Sequence, residues 1–345
     1  MPIIEPDRIM AQVVKITSIN PIQDANVIEV ASVLGWNVVV KKGDFNVGDL
    51  VIYFTLDSVL DDTKEYAKFL NNKPLKTKKI KNILSQGLLG PLDWLKYHGH
   101  PEVVQEGDDL TKILNVKKYV DSTEGEIYNI KKNTFPEFVP KTDEHRIQGM
   151  MKKLNNLRDR NIVITKKFDG TSVTYIYSKN ELENKFLVCS RNNIVDYAEN
   201  SELKDRCHYY EMNTKYQIEE KMKMLNKNIA IQGEICGPKI NCNRLKMTEN
   251  DLYVFNIYDI DNNKYLVWDD VLKITTLFGL KTVDVLFCGK IKEEYLDLKN
   301  LILLADSQTY NNNEVCEGIV VKTDDYDERT SFKVISNNYL LKYKI

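Results

Sequence analysis

The hydrophobic pattern changes character along the chain. In the first hundred residues MAQVVKITSI and VIEVASVLGWNVVV alternate apolar and polar positions. That period-two pattern belongs to half-buried strands. KKGDFNVGDLVIYF adds two turns, the second at Asn46-Val47-Gly48-Asp49, and an apolar strand. Residues 101–140 read as a connector, since FPEFVPKTDEH carries two prolines and is extended. After residue 140 the pattern is mixed. HRIQGMMKKLNNL has helical apolar spacing, with Thr142 or Asp143 as its expected cap. NIVITKKFDGTSVTYIYS predicts strand, turn, strand, and SELKDRCHYYEMNTKYQIEEKMKML predicts one charged helix. NIAIQGEICG, LYVFNIYDI, GIVVKT and SFKVI predict strands, while WDDVLKITTLFGL and IKEEYLDLKNLILLADS predict helices.

The expected architecture is therefore α+β. Residues 1–100 form a β-barrel of OB type, with a sandwich as the rival of equal periodicity. Residues 141–345 form a domain of mainly antiparallel strands flanked by helices. The 345 residues carry 48 Lys+Arg against 50 Asp+Glu, a net charge of −2, which excludes a globally basic nucleic-acid coat but not a local patch. Such a patch is offered by Lys73, Lys76, Lys78, Lys79 and Lys81, which read either as a solvated loop or as a phosphate-contacting barrel edge. No run of about 18 apolar residues predicts a membrane span. The N-terminus has no secretory pattern, so a cytoplasmic or nuclear protein is expected. Six cysteines without CxxC spacing and only four histidines argue against a zinc site, even though Cys236 and Cys242 flank GPKIN. Trp36, Trp94 and Trp268 read as core residues.

The chemistry gathers at Lys167-Phe168-Asp169-Gly170. A lysine leaving a strand into a glycine turn, with an acid two residues on, puts Lys167 and Asp169 on one side. A lysine whose pKa is lowered can attack phosphorus; alone, the same four letters also describe a surface hairpin with an Asp-Gly turn. Further features follow in order: Arg191 in LVCSRNN, Glu234 in an apolar strand, Phe255 and Tyr258 near Asp259, Glu317 opening an apolar strand, and Lys333 within one. Buried carboxylates require a partner or a cation.

In this order the motifs resemble those of the covalent nucleotidyltransferase superfamily of ATP-dependent ligases and capping enzymes. KFDG resembles the nucleophile motif; SRN, QGEICG, YVFNIYD, EGIVVK and SFKVIS resemble the motifs that follow it. FPEFVPKTDEHRIQ resembles the upstream element of RNA ligases, and GWNVVVKKGDFNVGDLVIYF with SQGLLGPL resembles the N-terminal OB module of one RNA-ligase branch. With twelve residues after Lys333, a C-terminal OB domain, as in DNA ligases and capping enzymes, is not expected.

The resemblance implies an ATP-dependent RNA ligase joining 3′-OH and 5′-phosphate ends, at nicks in duplex RNA, and acting as a monomer. Lys167 would become adenylated, Asp169 would position it or a metal-bound water, and Lys333 would sit on the α-phosphate. Arg191 would contact ribose or, later, the RNA terminus, Glu234 would bind ribose or the metal shell, and Phe255 would stack on adenine. Glu317 would hold Mg²⁺ or Mn²⁺, Arg146 would meet the leaving pyrophosphate, and Lys322 is a weaker candidate for a phosphate contact. The motif around Lys333 departs from the Lys-x-Lys of many relatives, since Ile335 stands where a second lysine is expected. The alternatives are a DNA ligase, a GTP-dependent guanylyltransferase, or an OB-type nucleic-acid-binding protein with an inactive catalytic domain.

Overall fold

The computed structural model describes the chain except residues 1–2, 5–7, 101–102, 120–132, 180–183, 196–206, 239 and 344–345. It divides into two compact units, Met1–Glu124 with Leu340–Ile345, and Gly125–Tyr339.

The first unit is built from short antiparallel strands. β1 (Ala11–Lys15) and β8 (Leu88–Pro91) flank β5 (Leu50–Phe54). β2 (Ser18–Pro21), β3 (Ile28–Val33) and β4 (Trp36–Lys41) form a meander. Alternation along β4 buries Trp36, Val38 and Val40 and leaves Asn37 exposed, as period two requires. Residues beyond 100 add to this unit: Leu110, Leu114 and Val116 join Ile52, Phe54 and Leu95 in one core cluster. The lysine-rich segment forms a hairpin of β6 (Lys78–Ile80) and β7 (Ile83–Ser85). Its two turn residues, Lys81 and Asn82, both have positive φ, which matches the right-handed twist of the flanking strands. Lys73, Lys78, Lys79 and Lys81 are exposed, whereas Lys76 pairs with Asp57 at 3.5 Å and covers the Tyr119 ring.

The second unit holds two mainly antiparallel sheets, the larger with a short parallel pairing of Lys281–Thr282 onto Tyr253 and Val254. In the larger, β10 (Thr171–Lys179) lies between β11 (Asn184–Cys189) and β12 (Ile229–Cys236), and β12 pairs onward with β13 (Asp251–Asp259). In the smaller, the order is β14 (Val285–Lys290), β9 (Asn161–Lys167), β15 (Gly318–Thr323), β16 (Ser331–Ile335). One face of the smaller sheet, with Ile162, Ile164, Ile319, Val321, Phe332 and Val334, packs into a core with Leu301 and Ala305 of the helix Leu298–Ser307. The other face carries Lys167 opposite Gly318, Thr165 opposite Val320, Val320 opposite Lys333, and Lys322 opposite Ser331. Three cations thus share the face away from that core.

Three helix expectations are corrected. IKEEYLDLKNLILLADS is a 3₁₀ turn, Glu293–Leu296, and a helix, Leu298–Ser307, separated by an extended Asp297. HRIQGMMKKLNNL forms short 3₁₀ and α turns, Ile147–Gly149, Met151–Leu154 and Asn155–Leu157, without a side-chain cap. Thr142 instead hydrogen-bonds Ser172 and Asp143 accepts from Lys333. The helix expected from Ser201 has residues 201–206 outside the described set. From His208 it is two helices, His208–Tyr216 and Ile218–Leu225, broken where Gln217 turns left-handed. Trp36 and Trp268 are buried, and Trp94 packs against the first unit's core, as the sequence suggests.

Candidate active site

Lys167 ends β9, and its Nζ donates to Glu317 Oε2 at 2.6 Å. Burial works against its charge, but Glu317 and Glu234 outweigh burial and hold the ammonium above the ordinary lysine range. A lysine poised for attack needs the opposite shift, so without ligand Lys167 is a stabilised cation. Glu234 stands on β12, and its Oε1 accepts from the Gly170 amide at 3.2 Å. Burial, helped by the negative charges of Glu317 and Asp169, pushes Glu234 up to about 7 against the pull of Lys167 and Arg191. Arg191, exposed just beyond the end of β11, adds positive charge that both Lys167 and Glu234 feel.

The loop after Lys167 is tightly held. The Lys167 carbonyl accepts from Tyr310 Oη at 3.1 Å and from Cys316 Sγ at 3.2 Å. Asp169, 6% exposed, accepts from Arg244, from Tyr339 Oη at 2.7 Å and from Asn241 Nδ2 at 3.1 Å. Asn241 also donates to the Gly170 carbonyl at 2.5 Å. Gly170 is required by close approach: a Cβ there would meet the Ile235 carbonyl at 2.3 Å and Cys236 Sγ at 2.7 Å. The segment that supplies Asn241 and Arg244 is strained, with Asn241, Cys242, Asn243 and Lys246 all at positive φ. Neither Arg244 nor Tyr339 is singled out by the sequence. The INCNRL run draws notice only for its cysteine, and Tyr339 follows the last motif.

Residues 139–146 run across both sheets. The Pro140 carbonyl accepts from Gln232 on β12, Thr142 meets Ser172 on β10, and Glu144 accepts from Ser331 and Arg329. Asp143 accepts from Lys333 Nζ at 2.9 Å, and the Lys333 amide donates to the His145 carbonyl at 2.8 Å. Burial pulls Lys333 below the usual lysine range, Asp143 opposes this, and Lys167 and Arg146 push it further down. Arg146 pairs with Lys333 through a parallel backbone bridge. Lys167, Glu234, Glu317, Arg191, Lys333 and Arg146 are therefore electrostatic neighbours. Asp169 stands with them, both its oxygens engaged by protein donors.

Phe255 is placed by a bulge. β12 and β13 pair Gln232 with Asn256 and Gly233 with Val254, so the ladder skips Phe255. An extra residue of this kind re-aims its side chain and is frequent beside active sites. Phe255 is half-buried, as is Val320 on β15. Lys322, by contrast, is buried and donates to the Phe255 carbonyl and to Asn256 Oδ1.

Among the described residues no cluster of three or more His, Cys, Asp or Glu could by itself enclose a metal. The donor set still fits one kind of ion. Glu234 and Glu317 are oxygen donors meeting at Lys167, and a hard divalent cation uses one or two carboxylates, completing its shell with water and phosphate oxygens.

Residues 160–335 match the RNA ligase family, and residues 10–92 match an OB-fold domain. The chain belongs to the RNA ligase family. Its structure is similar to that of Naegleria gruberi RNA ligase with PPi, with a TM-score of 0.84 and 30% identity over 98% of this chain and 99% of that one. A variant of that enzyme with ATP and Mn matches at 0.83 and 30%, over 98% and 100% of the two chains. Another with AMP and Mn matches at 0.83 and 31%, over 98% and 99%. No curated protein sequence matches the chain at significance. No helix among the described residues is long and apolar enough to cross a membrane.

Proposed function

We propose that this chain is an ATP-dependent RNA ligase that joins RNA 3′-OH and 5′-phosphate ends, with Lys167 as the residue that carries AMP. The carrying observation is Lys167 at the end of its strand, held between Glu317 and Glu234 on the face shared with Lys333. The ATP, AMP and PPi bound by the Naegleria relatives agree with that reading.

In the first step the Lys167 amine attacks the α-phosphorus of ATP. A P–N bond forms, the P–O bond to pyrophosphate breaks, and the lysine gives up its proton. An oxygen of an RNA 5′-phosphate then displaces the lysine and takes the AMP. Finally a 3′-OH attacks that 5′-phosphate and AMP leaves. These are in-line substitutions, in which positioning and charge neutralisation dominate. Lys333 leaves Asp143 to meet the α-phosphate and stabilise its developing charge. Arg146, beside it, meets the leaving pyrophosphate, and Arg191 contacts ribose or the RNA end. Phe255 offers an aromatic face to adenine. Asp169 acts as a positioning residue, tying the nucleophile loop to Arg244, Asn241 and Tyr339.

Glu317 and Glu234 would hold Mg²⁺ or Mn²⁺. Bound there, the cation would supply positive charge to phosphate oxygens and weaken the carboxylates' hold on the Lys167 proton. A nicked duplex is the proposed RNA, and one such catalytic unit suffices as a monomer.

The test is incubation with ATP labelled at the α-phosphate and Mg²⁺ or Mn²⁺, followed by denaturing electrophoresis. Label is expected on the wild type and absent from Lys167→Ala. Label that survives that substitution, or that comes from GTP and not ATP, refutes the assignment. Nicked RNA and nicked DNA duplexes then decide the substrate.

A further inference from the structure

We propose that Lys322 is a positioning residue for the nucleotide base: it fixes the bulge in β13 and so the angle of the Phe255 ring. The inference rests on the reading of Phe255 as the adenine-stacking residue.

By its place in the strand register, Lys322 shares a sheet face with Lys167 and Lys333, as a phosphate ligand would. Its side chain does something else. It is 5% exposed, and its Nζ donates to the Phe255 carbonyl and, at 3.0 Å, to Asn256 Oδ1. The same Nζ lies 4.7 Å from the centre of the Trp268 ring. These contacts occupy the amine within the protein, against the β13 backbone and the Trp268 ring.

The target of the contact gives it meaning. Phe255 is the residue that the β12–β13 ladder passes over. An extra residue in a bulge loses ladder partners, and a buried carbonyl without one is costly. Lys322 supplies a donor to that carbonyl from the opposite sheet, and its second bond holds Asn256, the next residue along. Asn256 is held further by Arg329 at 3.3 Å and by Gln232 at 3.3 Å. The backbone on the C-terminal side of the ring is thereby pinned to β15 and β12, while Phe255 itself stays half-buried.

Burial, with Arg329 beside it, draws Lys322 down to about 7 against the pull of Glu144, Asp324 and Cys288. Ammonium and neutral amine both carry N–H donors, so the strut persists on either side of that value.

Three proteins and two ligands test the proposal: Lys322→Met, Phe255→Ala and the double variant, each with ATP and with inorganic tripolyphosphate as a competitor that has no base. Lys322→Met is expected to raise the KM for ATP about tenfold in label transfer to Lys167, the scale of losing one base–aromatic stack. Inhibition by tripolyphosphate should stay within twofold of wild type. The double variant should be no worse than Phe255→Ala, because both changes remove the same stack. Equal weakening of ATP and tripolyphosphate would place Lys322 on phosphate and overturn the proposal. So would an unchanged KM, or losses that multiply in the double variant. If Lys322→Met does not fold, Lys322→Gln replaces it, with an expected two- to threefold rise in ATP KM and the same criteria. Failure of the wild type to take label from ATP would instead refute the nucleotide reading itself.

Discussion

Replacing Glu234 with glutamine keeps the shape of the side chain and removes a charge that the fold resists. Its carboxyl is pushed from 4.5 to about 7 by burial and by neighbouring carboxylates. Between those values the folded state binds more protons than the unfolded state, so stability falls as pH rises through that window. The loss is complete above about pH 7. A gap of about 2.5 pH units at about 1.4 kcal/mol each gives about 3.5 kcal/mol as an upper figure. Water reaching a half-buried carboxylate reduces this to between about 1 and 3 kcal/mol. For a unit of this size that is an upward shift of about 3–10 °C in melting temperature for Glu234→Gln at pH 8. At pH 4 the two proteins should melt together. The assay is thermal unfolding of both proteins at half-unit steps from pH 4 to 8.5, with label transfer followed in parallel. A glutamine variant less stable than wild type at pH 8, or a difference that does not change with pH, would refute the reasoning. The variant should also lose label transfer, which would show a carboxylate kept for chemistry at a cost to the fold.

Three other outcomes follow from the same geometry. Arg244→Met should lower stability by about 3 kcal/mol, since the Arg244–Asp169 pair is only 17% and 7% exposed and its loss leaves a buried carboxylate short of a partner; denaturant unfolding measures this, and label transfer should fall at least about tenfold. Asp143→Asn should lower the KM for ATP by about two- to fivefold, because Lys333 no longer has to leave an ion pair; with Asp143 42% exposed, that pair is worth under about 1 kcal/mol. A KM that rises would contradict the exchange. In the free enzyme Lys167 should resist acetic anhydride more than surface lysines up to at least pH 10, and Glu317→Gln should make it more reactive, because its carboxylate partners raise its pKa; mass spectrometry of the modified peptide reads both.

Much of the second unit is legible from local pattern. β9, β10, β12, β13, β15 and β16 fall where apolar runs and alternation place them, because each buries one or both faces. What escapes the sequence is set by partners distant along the chain. Asp143 reads as a helix cap, but its partner is Lys333, 190 residues on. The basicity of Lys167 depends on Glu317, 150 residues away, so a lysine beside Asp-Gly gives no sign of it. Arg244 is hidden for the same reason, and Gln217 breaks a helix that its neighbours favour. Lys322 has the right register for a phosphate contact, and only its burial shows where its amine goes.

The bulge in β13 makes the adenine platform proposed at Phe255 a matter of counting. Nine residues of that strand, Asp251–Asp259, face eight of β12, Ile229–Cys236. A regular ladder would need equal numbers. Shortening β13 by one residue would close the gap and give a smoother sheet with no substituted side chain, yet it would remove the irregularity that aims the ring. Insertions and deletions in a strand are usually judged by whether the sheet survives. Here the sheet would survive, and the platform proposed for the base would be lost by arithmetic.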